Sequence, residues 1–292
     1  MDESSEKNIA FFGTGGIFSN IVLENLVKSN ICIKLVFILI KPNSKLRPLN
    51  EDFCVQNNLK YIKIEETNTN FVKNVLLDND IDLGVIASYS QILKDDILKA
   101  THDGFVNLHP SFLPYYKGAN PLFWQIKDEK DEFGATVHVV NGGIDEGSIL
   151  VRDKWMFKDI ISGDEISKKI AYKGSQLLIQ VLSNYIKNYK LISKVSISAD
   201  ELNKGFYNPK PQEDDFMVDL TKASPEKLIK LMNRLKKWGD IFCIYDTQKL
   251  IITGVKKLND KFTGIIEFEK KDRKICVSNN YGSFIVETLE GK

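Results

Sequence analysis

The chain has 292 residues, enough for one large domain or two modest ones with a sizeable core. The apolar residues AVILMFWYC make up 43% and charged residues 27%, a composition that excludes a disordered chain. Lys and Arg number 40 against 39 Asp and Glu, and a formal net charge of +1 excludes whole-chain electrostatic capture by nucleic acid or an anionic membrane, though not a local basic patch.

The start, MDESSEKNIAFFG, has early acids and no apolar core of signal-peptide length. NIAFF (8–12) reads as a strand ending at Gly13, and Ile17, Ile21, Val22, Leu26 and Val27 recur at helical spacing after the turn GTGG. KLVFILI (34–40) is a second strand, too short to span a membrane, and KYIKI (60–64) is a third. NFVKNVLLDN (70–79) predicts a helix and IDLGVIAS (81–88) a buried strand. Strands alternating with helices predict an α/β, Rossmann-like, mostly parallel sheet covered on both faces.

After residue 100 the chain turns loop-rich, and VNLHPSFLPYYKGANP, with three prolines and a glycine, resists helix. PLFWQIKDEK (121–130) suits a helix with Pro121 in its first turn. ATVHVV (135–140) is a strand, NGGIDEGS (141–148) a loop, and ILVRDKWMF (149–157) a strand expected to run antiparallel because the loop is short. A long amphipathic helix covers 164–189. We expect a domain over 1–192, a polar linker over 193–222, and a small C-terminal domain over 223–292. In that last part Ser224 and Pro225 cap a helix to about Trp238, and IFCIY, KLIITGV, TGIIEFE, KICVS and SFIVETL predict a five-stranded β-barrel-like unit.

Four scattered cysteines, Cys32, Cys54, Cys243 and Cys276, form no CxxC pair and have no Cys/His ligand spacing. Neither a disulfide framework nor a zinc site is expected, and reduced thiols in a cytoplasmic protein fit better. Gly13, Gly15 and Gly16 follow a strand and open a helix, so their amides can face an anion; a structural tight turn accounts for them equally well. The spacing is not G-x-G-x-x-G, which argues against a nicotinamide cofactor.

The stronger signal lies between residues 107 and 147. Asn107 and His109 are two apart, so extended backbone points both to one side. One offers an amide donor and the other an imidazole that changes charge near neutrality. Such a pair can stabilise an oxyanion and move a proton, and Asp145 in GGIDEG supplies a carboxylate to complete it. Each member also has a structural reading: a satisfied loop histidine, a turn asparagine, a capping aspartate.

NLHPSFLPYYKGANPLFWQI followed by GATVHVVNGGIDEGSIL resembles the core signature of the folate-dependent formyltransferases. Asn107-Leu108-His109, Ser111-Phe112-Leu113-Pro114 and Asp145-Glu146-Gly147 match that family's Asn-x-His pair, SLLP-type loop and aspartate loop. ASYSQILKDDIL resembles its AYGxILP loop, FFGTGGIFS its FGTPEF opening, and NPKPQEDDFMVDL with the barrel its C-terminal domain. The resemblance implies transfer of a formyl group from N10-formyltetrahydrofolate to an amine without a metal, with Asn107, His109 and Asp145 catalytic. It implies a folate site at Ser88, Tyr89, Ser90, Gln91, Ile92 and Leu93, at Ser111, Phe112, Leu113 and Pro114, and at Asn141, Gly142, Gly143 and Ile144.

The family's tRNA-specific members resemble QPDRPAGRGKK after the second strand, where this chain has the less basic IKPNSKLRPLN (40–50). Acids nearly balance bases after residue 200, and YYKGANPLFWQI is closer to sugar N-formyltransferases. The expected acceptor is a nucleotide-linked amino sugar, such as a dTDP-4-amino-4,6-dideoxyhexose for O-antigen or another surface glycan. Gly13, Thr14, Tyr115, Lys117 and Trp124 are its candidate contacts, with Tyr116 a further stacking candidate. The alternative is methionyl-tRNA formyltransferase; formyltetrahydrofolate hydrolase and a catalytically silent binder rank below it. Partners expected on this reading are the small-molecule acceptor and a second copy in a homodimer, with no nucleic acid and no membrane.

Overall fold

The computed structural model describes residues 7–42, 47–159, 162–192, 195–258, 268–271 and 273–290. In chain order the first half runs β1 (Ile9–Thr14), α1 (Ile17–Lys28), β2 (Ile33–Leu39), α2 (Leu49–Gln56), β3 (Tyr61–Ile64), α3 (Thr69–Asp78), β4 (Leu83–Ala87), α4 (Asp95–Leu98) and β5 (Phe105–His109). It continues with β6 (Lys117–Gly118), α5 (Pro121–Lys127), β7 (Glu132–Val139), β8 (Ile149–Met156) and α6 (Gly163–Asn188). The rest is α7 (Ala199–Asn203), β9 (Tyr207–Asn208), a 3-10 turn over Glu213–Phe216, α8 (Pro225–Leu235), and β10 (Phe242–Tyr245). β11 (Gln248–Lys257), β12 (Phe268–Lys271), β13 (Lys274–Asn279) and β14 (Gly282–Glu290) complete it.

Seven strands form one sheet in the order β3-β2-β1-β4-β5-β7-β8. The first five are mutually parallel, β7 runs antiparallel to β5 and β8 antiparallel to β7, so the expected mostly parallel sheet is present. Parallel strands buried on both faces need continuous apolar runs, and β1, β2 and β4 supply them. Asn25 of α1 bonds Ser175 of α6 at 2.8 Å, and Gly174 of α6 lies against Leu108 and Ala135, which puts these two helices on one face. On the other face Phe12, Phe37 and Phe105 gather with Val72 and Leu76 of α3 and Ile97 of α4. Phe12 stacks on Phe37 at 4.4 Å. Chain order reverses between β1 and β4, and the carboxyl ends of β1, β4 and β5 lie side by side there. In open α/β sheets this crevice is where ligands bind.

The chain divides into two compact units. One comprises Met1–Pro121, Glu132–Met156 and Ser167–Asn208; the other comprises Leu122–Asp131, Phe157–Ile166 and Pro209–Lys292. The second unit carries an antiparallel half-barrel sheet ordered β10-β11-β14-β13-β12 and α8, whose Ser224 side chain accepts from the Lys227 amide as the cap signal predicts. Arg234 of α8 is buried against Asp131 at 2.9 Å and the carbonyls of Phe157 and Lys158, pinning that unit's separate segments. Within 193–222, expected as a linker, the chain holds α7, β9 and the 3-10 turn. Residues 43–46 of the IKPNSKLRPLN loop, 193–194 of the expected linker and 263–267 of the expected TGIIEFE strand lie outside the described residues. Burial pushes the Cys54 thiol up to about 12, with Glu51 adding to it, and the Cys243 thiol up to about 11. No helix among the described residues is long and apolar enough to cross a membrane.

Candidate active site

β5 ends with its side chains alternating onto two faces. Phe105, Asn107 and His109 share one face, with Phe105 inside the apolar cluster and the two polar residues following it toward the carboxyl end. β7 runs antiparallel beside it and sets His138 directly across from Asn107 and Thr136 across from His109. The loop after β7 then turns back, and Asp145, in the left-handed region at φ 54°, brings its carboxylate to the same place. The turn closes so tightly that a Cβ on Gly147 would sit 1.7 Å from the Val139 carbonyl oxygen, which only glycine permits.

Both oxygens of Asp145 are surrounded. Oδ1 lies 3.4 Å from Asn107 Nδ2 and 3.3 Å from His138 Nε2; Oδ2 lies 3.4 Å from His109 Nδ1 and accepts from the Gly118 amide at 2.8 Å. The Asp145 side chain is 11% exposed, and His109 and His138 are 4% and 2% exposed. His109 Nε2 is 2.9 Å from the Tyr116 carbonyl, which requires its proton on Nε2. His138 Nδ1 likewise donates to the Val139 carbonyl at 2.9 Å, leaving Nε2 to accept from Asn107 Nδ2 at 3.1 Å.

Burial pushes the His109 imidazole down; the Asp145 charge pulls it up, His138 pushes it down again, and the net direction is downward. Burial alone would raise the Asp145 carboxyl, but the adjacent His109 ring and the Gly118 N–H hold it well below the usual carboxylate range. The two directions conflict if the ring must be charged to hold the anion. We read the resting pair as carboxylate and neutral imidazole. Gly118 and Asn107 stabilise the anion without a charged ring, whereas burial opposes a charge on His109.

The sequence-predicted residues fall into two groups. Asn107, His109 and Asp145 converge. Ser88 through Leu93 follow β4, with Ser88 in the left-handed region at φ 59° and its carbonyl accepting from Thr14 N at 3.1 Å. Ser90 is exposed, and Ile92 is 74% exposed while Leu93 is buried in the apolar cluster. Ser111 is buried and donates to the Tyr115 carbonyl at 2.7 Å; Leu113 N donates to Thr136 Oγ1 at 3.0 Å, and the Leu113–Pro114 peptide is cis. The Arg152 guanidinium lies over the Phe112 ring at 4.2 Å and donates to the Leu113 carbonyl. Asn141 Oδ1 accepts from Gly143 N at 3.1 Å, Gly142 faces Asp95, and Ile144 is 43% exposed.

The acceptor candidates are less concentrated. Lys117 is paired with Glu146 at 2.9 Å. Tyr115 donates its amide to the Phe112 carbonyl, and the Tyr116 ring meets Phe206 edge-on at 5.7 Å. Trp124 belongs to the second unit, where its indole donates to the Pro209 carbonyl at 2.9 Å. Gly13 is a packing glycine, since a Cβ there would lie 1.9 Å from Ser19 Oγ. Sequence reasoning did not find His138 or the Gly118 amide; neither has a local signal, since each arrives by pairing across distant segments. Among the described residues no group of three or more His, Cys, Asp or Glu is placed to hold a metal ion.

The formyl transferase family matches residues 7–182, more than half of the chain. The methionyl-tRNA formyltransferase of Fusobacterium nucleatum subsp. nucleatum is 26% identical over 295 residues, covering 97% of this chain and 91% of that protein. WlaRD, a sugar 3N-formyl transferase solved in the presence of dTDP and 5-N-formyl-THF, superimposes with a TM-score of 0.62 at 18% identity, over 98% of this chain and 99% of its own. An N-formyltransferase from Helicobacter canadensis, in complex with folinic acid and dTDP-3-aminofucose, gives 0.60 at 17% identity, over 97% and 99%. A family match over more than half of the chain makes this a group-transfer enzyme. The chain belongs to the formyl transferase family and is an N10-formyltetrahydrofolate-dependent N-formyltransferase.

Proposed function

We propose that the chain formylates the amine of a nucleotide-linked amino sugar, with Asn107, His109 and Asp145 as its catalytic residues and residues 1–192 as the catalytic domain. The observation that carries the chemistry is the Asp145 carboxylate, buried and ringed by Asn107, His109, His138 and the Gly118 amide. Such a charge is costly to bury and is retained where it acts on a proton.

The residues present suit the folate donor. Exposed Ile92 and Ile144 offer apolar contact, and the Ser88–Leu93 and Asn141–Ile144 loops present backbone donors and acceptors beside it. When bound, the donor supplies a formyl carbon on N10, open to attack by an amine. Asn107 donates to the formyl oxygen as negative charge grows on it, an effect worth about 3 kcal/mol at such sites. The new N–C bond replaces the N10–C bond, and one proton must pass from the amine to N10. His109 carries its proton on Nε2, the nitrogen now facing the Tyr116 carbonyl, and can deliver it to the departing nitrogen. It does so once the amine's proton has reached Nδ1 by way of Asp145, so the ring that gives up the Nε2 proton is an imidazolium whose positive charge Asp145 offsets.

For the acceptor, supporting observations are the balanced charge and the aromatic edge of Tyr116 and Phe206 next to Lys117, suited to a sugar or base. The two sugar N-formyltransferase folds also align over nearly their whole length. A second reading, methionyl-tRNA as acceptor, is favoured by the named sequence relatives. The test is mass spectrometry of products after incubation with N10-formyltetrahydrofolate and, in parallel, dTDP-4-amino-4,6-dideoxyhexoses, UDP-linked amino sugars and Met-tRNA. A formyl increment on a nucleotide sugar and none on tRNA is expected; formylation of Met-tRNA alone would transfer the enzyme to translation initiation.

A further inference from the structure

The loop after β4 is held by a side chain that has no place in the chemistry. Thr67 lies in the turn between β3 and α3, 22 and 24 residues before Tyr89 and Gln91. Its hydroxyl is 2.5 Å from the Tyr89 hydroxyl and 2.5 Å from Gln91 Oε1, and its amide donates to the same Gln91 oxygen at 2.6 Å. Gln91 Nε2 then donates to the Glu65 carbonyl at 3.2 Å. The proton order is fixed by the chemistry. Thr67 N–H demands an oxygen from Gln91, so the Gln91 amide cannot be reversed. Gln91 Oε1 accepts, so the Thr67 hydroxyl donates to it, and the Tyr89 hydroxyl must donate to Thr67. Burial raises the Tyr89 phenol pKa, which keeps that donor protonated. The chain of bonds runs one way and each link strengthens the next.

The polar ends of Tyr89 and Gln91 are therefore engaged inside the protein. The Tyr89 ring packs edge-on against Phe12 at 5.6 Å, anchoring the relay in the core. At the other end of the same turn, Thr14 N holds the Ser88 carbonyl. Between these fixed points, exposed Ser90 and Ile92 are the part of the loop left to meet a ligand. We infer that Thr67 is a positioning residue for the formyl donor, holding the Ser88–Leu93 loop in its binding shape through Tyr89 and Gln91. The inference rests on the proposed donor site and touches no reacting atom.

Thr67→Val keeps the shape of the side chain and the Thr67 amide bond but removes both hydroxyl bonds. Loss of two such bonds at a loop that must then be ordered by the ligand predicts about a tenfold weaker donor interaction. Titration with folinic acid, a stable folate, followed by calorimetry, should show that weakening, and KM for N10-formyltetrahydrofolate should rise by about the same factor. The kcat and the acceptor KM should stay within about twofold, and Thr67→Ser should restore wild-type values, since the hydroxyl returns. Unchanged folinic acid binding in a folded Thr67→Val protein would overturn the inference while leaving the donor site standing. So would a loss that falls on kcat or on the acceptor KM. Failure of the wild-type protein to bind folinic acid would overturn the donor site and the inference together.

Discussion

Two turns at the crevice carry glycines and polar residues, and they differ in what their neighbours do. At the β1–α1 turn every close approach is occupied by the protein itself: Gly13 leaves room for Ser19, Gly15 for Pro48, and buried Asn50 donates to Ser19. At the β7–β8 turn the close approach of Gly147 serves to deliver a charge, Asp145, into a ring of nitrogen atoms. A glycine that makes space for packing and a glycine that aims a carboxylate look alike in sequence. The identity of what fills the space separates them.

Substitution of Asp145 puts the largest weight on this contrast. Asp145→Asn keeps the volume and removes the charge beside His109, and turnover should fall on the order of a thousandfold, with the fold retained by circular dichroism. Residual turnover within tenfold of wild type would reduce the carboxylate to a structural part. Gly13→Ala is the counterpart at the other turn. The added methyl drives into Ser19, and stability should drop by about 1–3 kcal/mol in denaturant titration, while kcat and acceptor KM of the folded protein stay unchanged. A raised acceptor KM at full stability would return the turn to ligand binding.

The smallest effect is one of pH. The folded His109 pKa is depressed, so below its ordinary value the unfolded chain binds a proton that the native protein refuses. Stability is then complete above about pH 6.5 and falls as pH drops through that value toward the folded pKa, by at most about 1.4 kcal/mol per pH unit. Asp145 adds its own loss only below about pH 4, where the unfolded carboxyl takes up a proton that the native one refuses. Melting temperatures at pH 7 and pH 5 should diverge in the wild type and converge in His109→Asn; equal divergence in both would place the acid sensitivity elsewhere.

Much of this was legible in the sequence for physical reasons. Continuous apolar strands can only be central in a parallel sheet, and a two-residue spacing on a strand fixes a common face for Asn107 and His109. Helix α2 was not legible, because it turns polar residues inward: Asn50 is fully buried and Glu51 nearly so, which erases the amphipathic pattern. His138 was not legible as a site member, since its place opposite Asn107 depends on the register of two strands 31 residues apart. Trp124 and Lys117 carried the right chemistry for an acceptor, but a backbone carbonyl and Glu146 hold them in this structure.

The two-residue strand β9 has one more consequence, in the order in which the chain is made. Tyr207 and Asn208 pair with Lys117 and Gly118, and the Gly118 amide is what grips Asp145 Oδ2. Gly118 sits at φ 94° with its missing Cβ position 2.3 Å from the Asn208 carbonyl, so the fit admits no other residue. A ribosome that has released residues up to 190 has delivered every proposed catalytic side chain but not the segment that seats Gly118 beneath the carboxylate. The site is finished only when the chain returns to it.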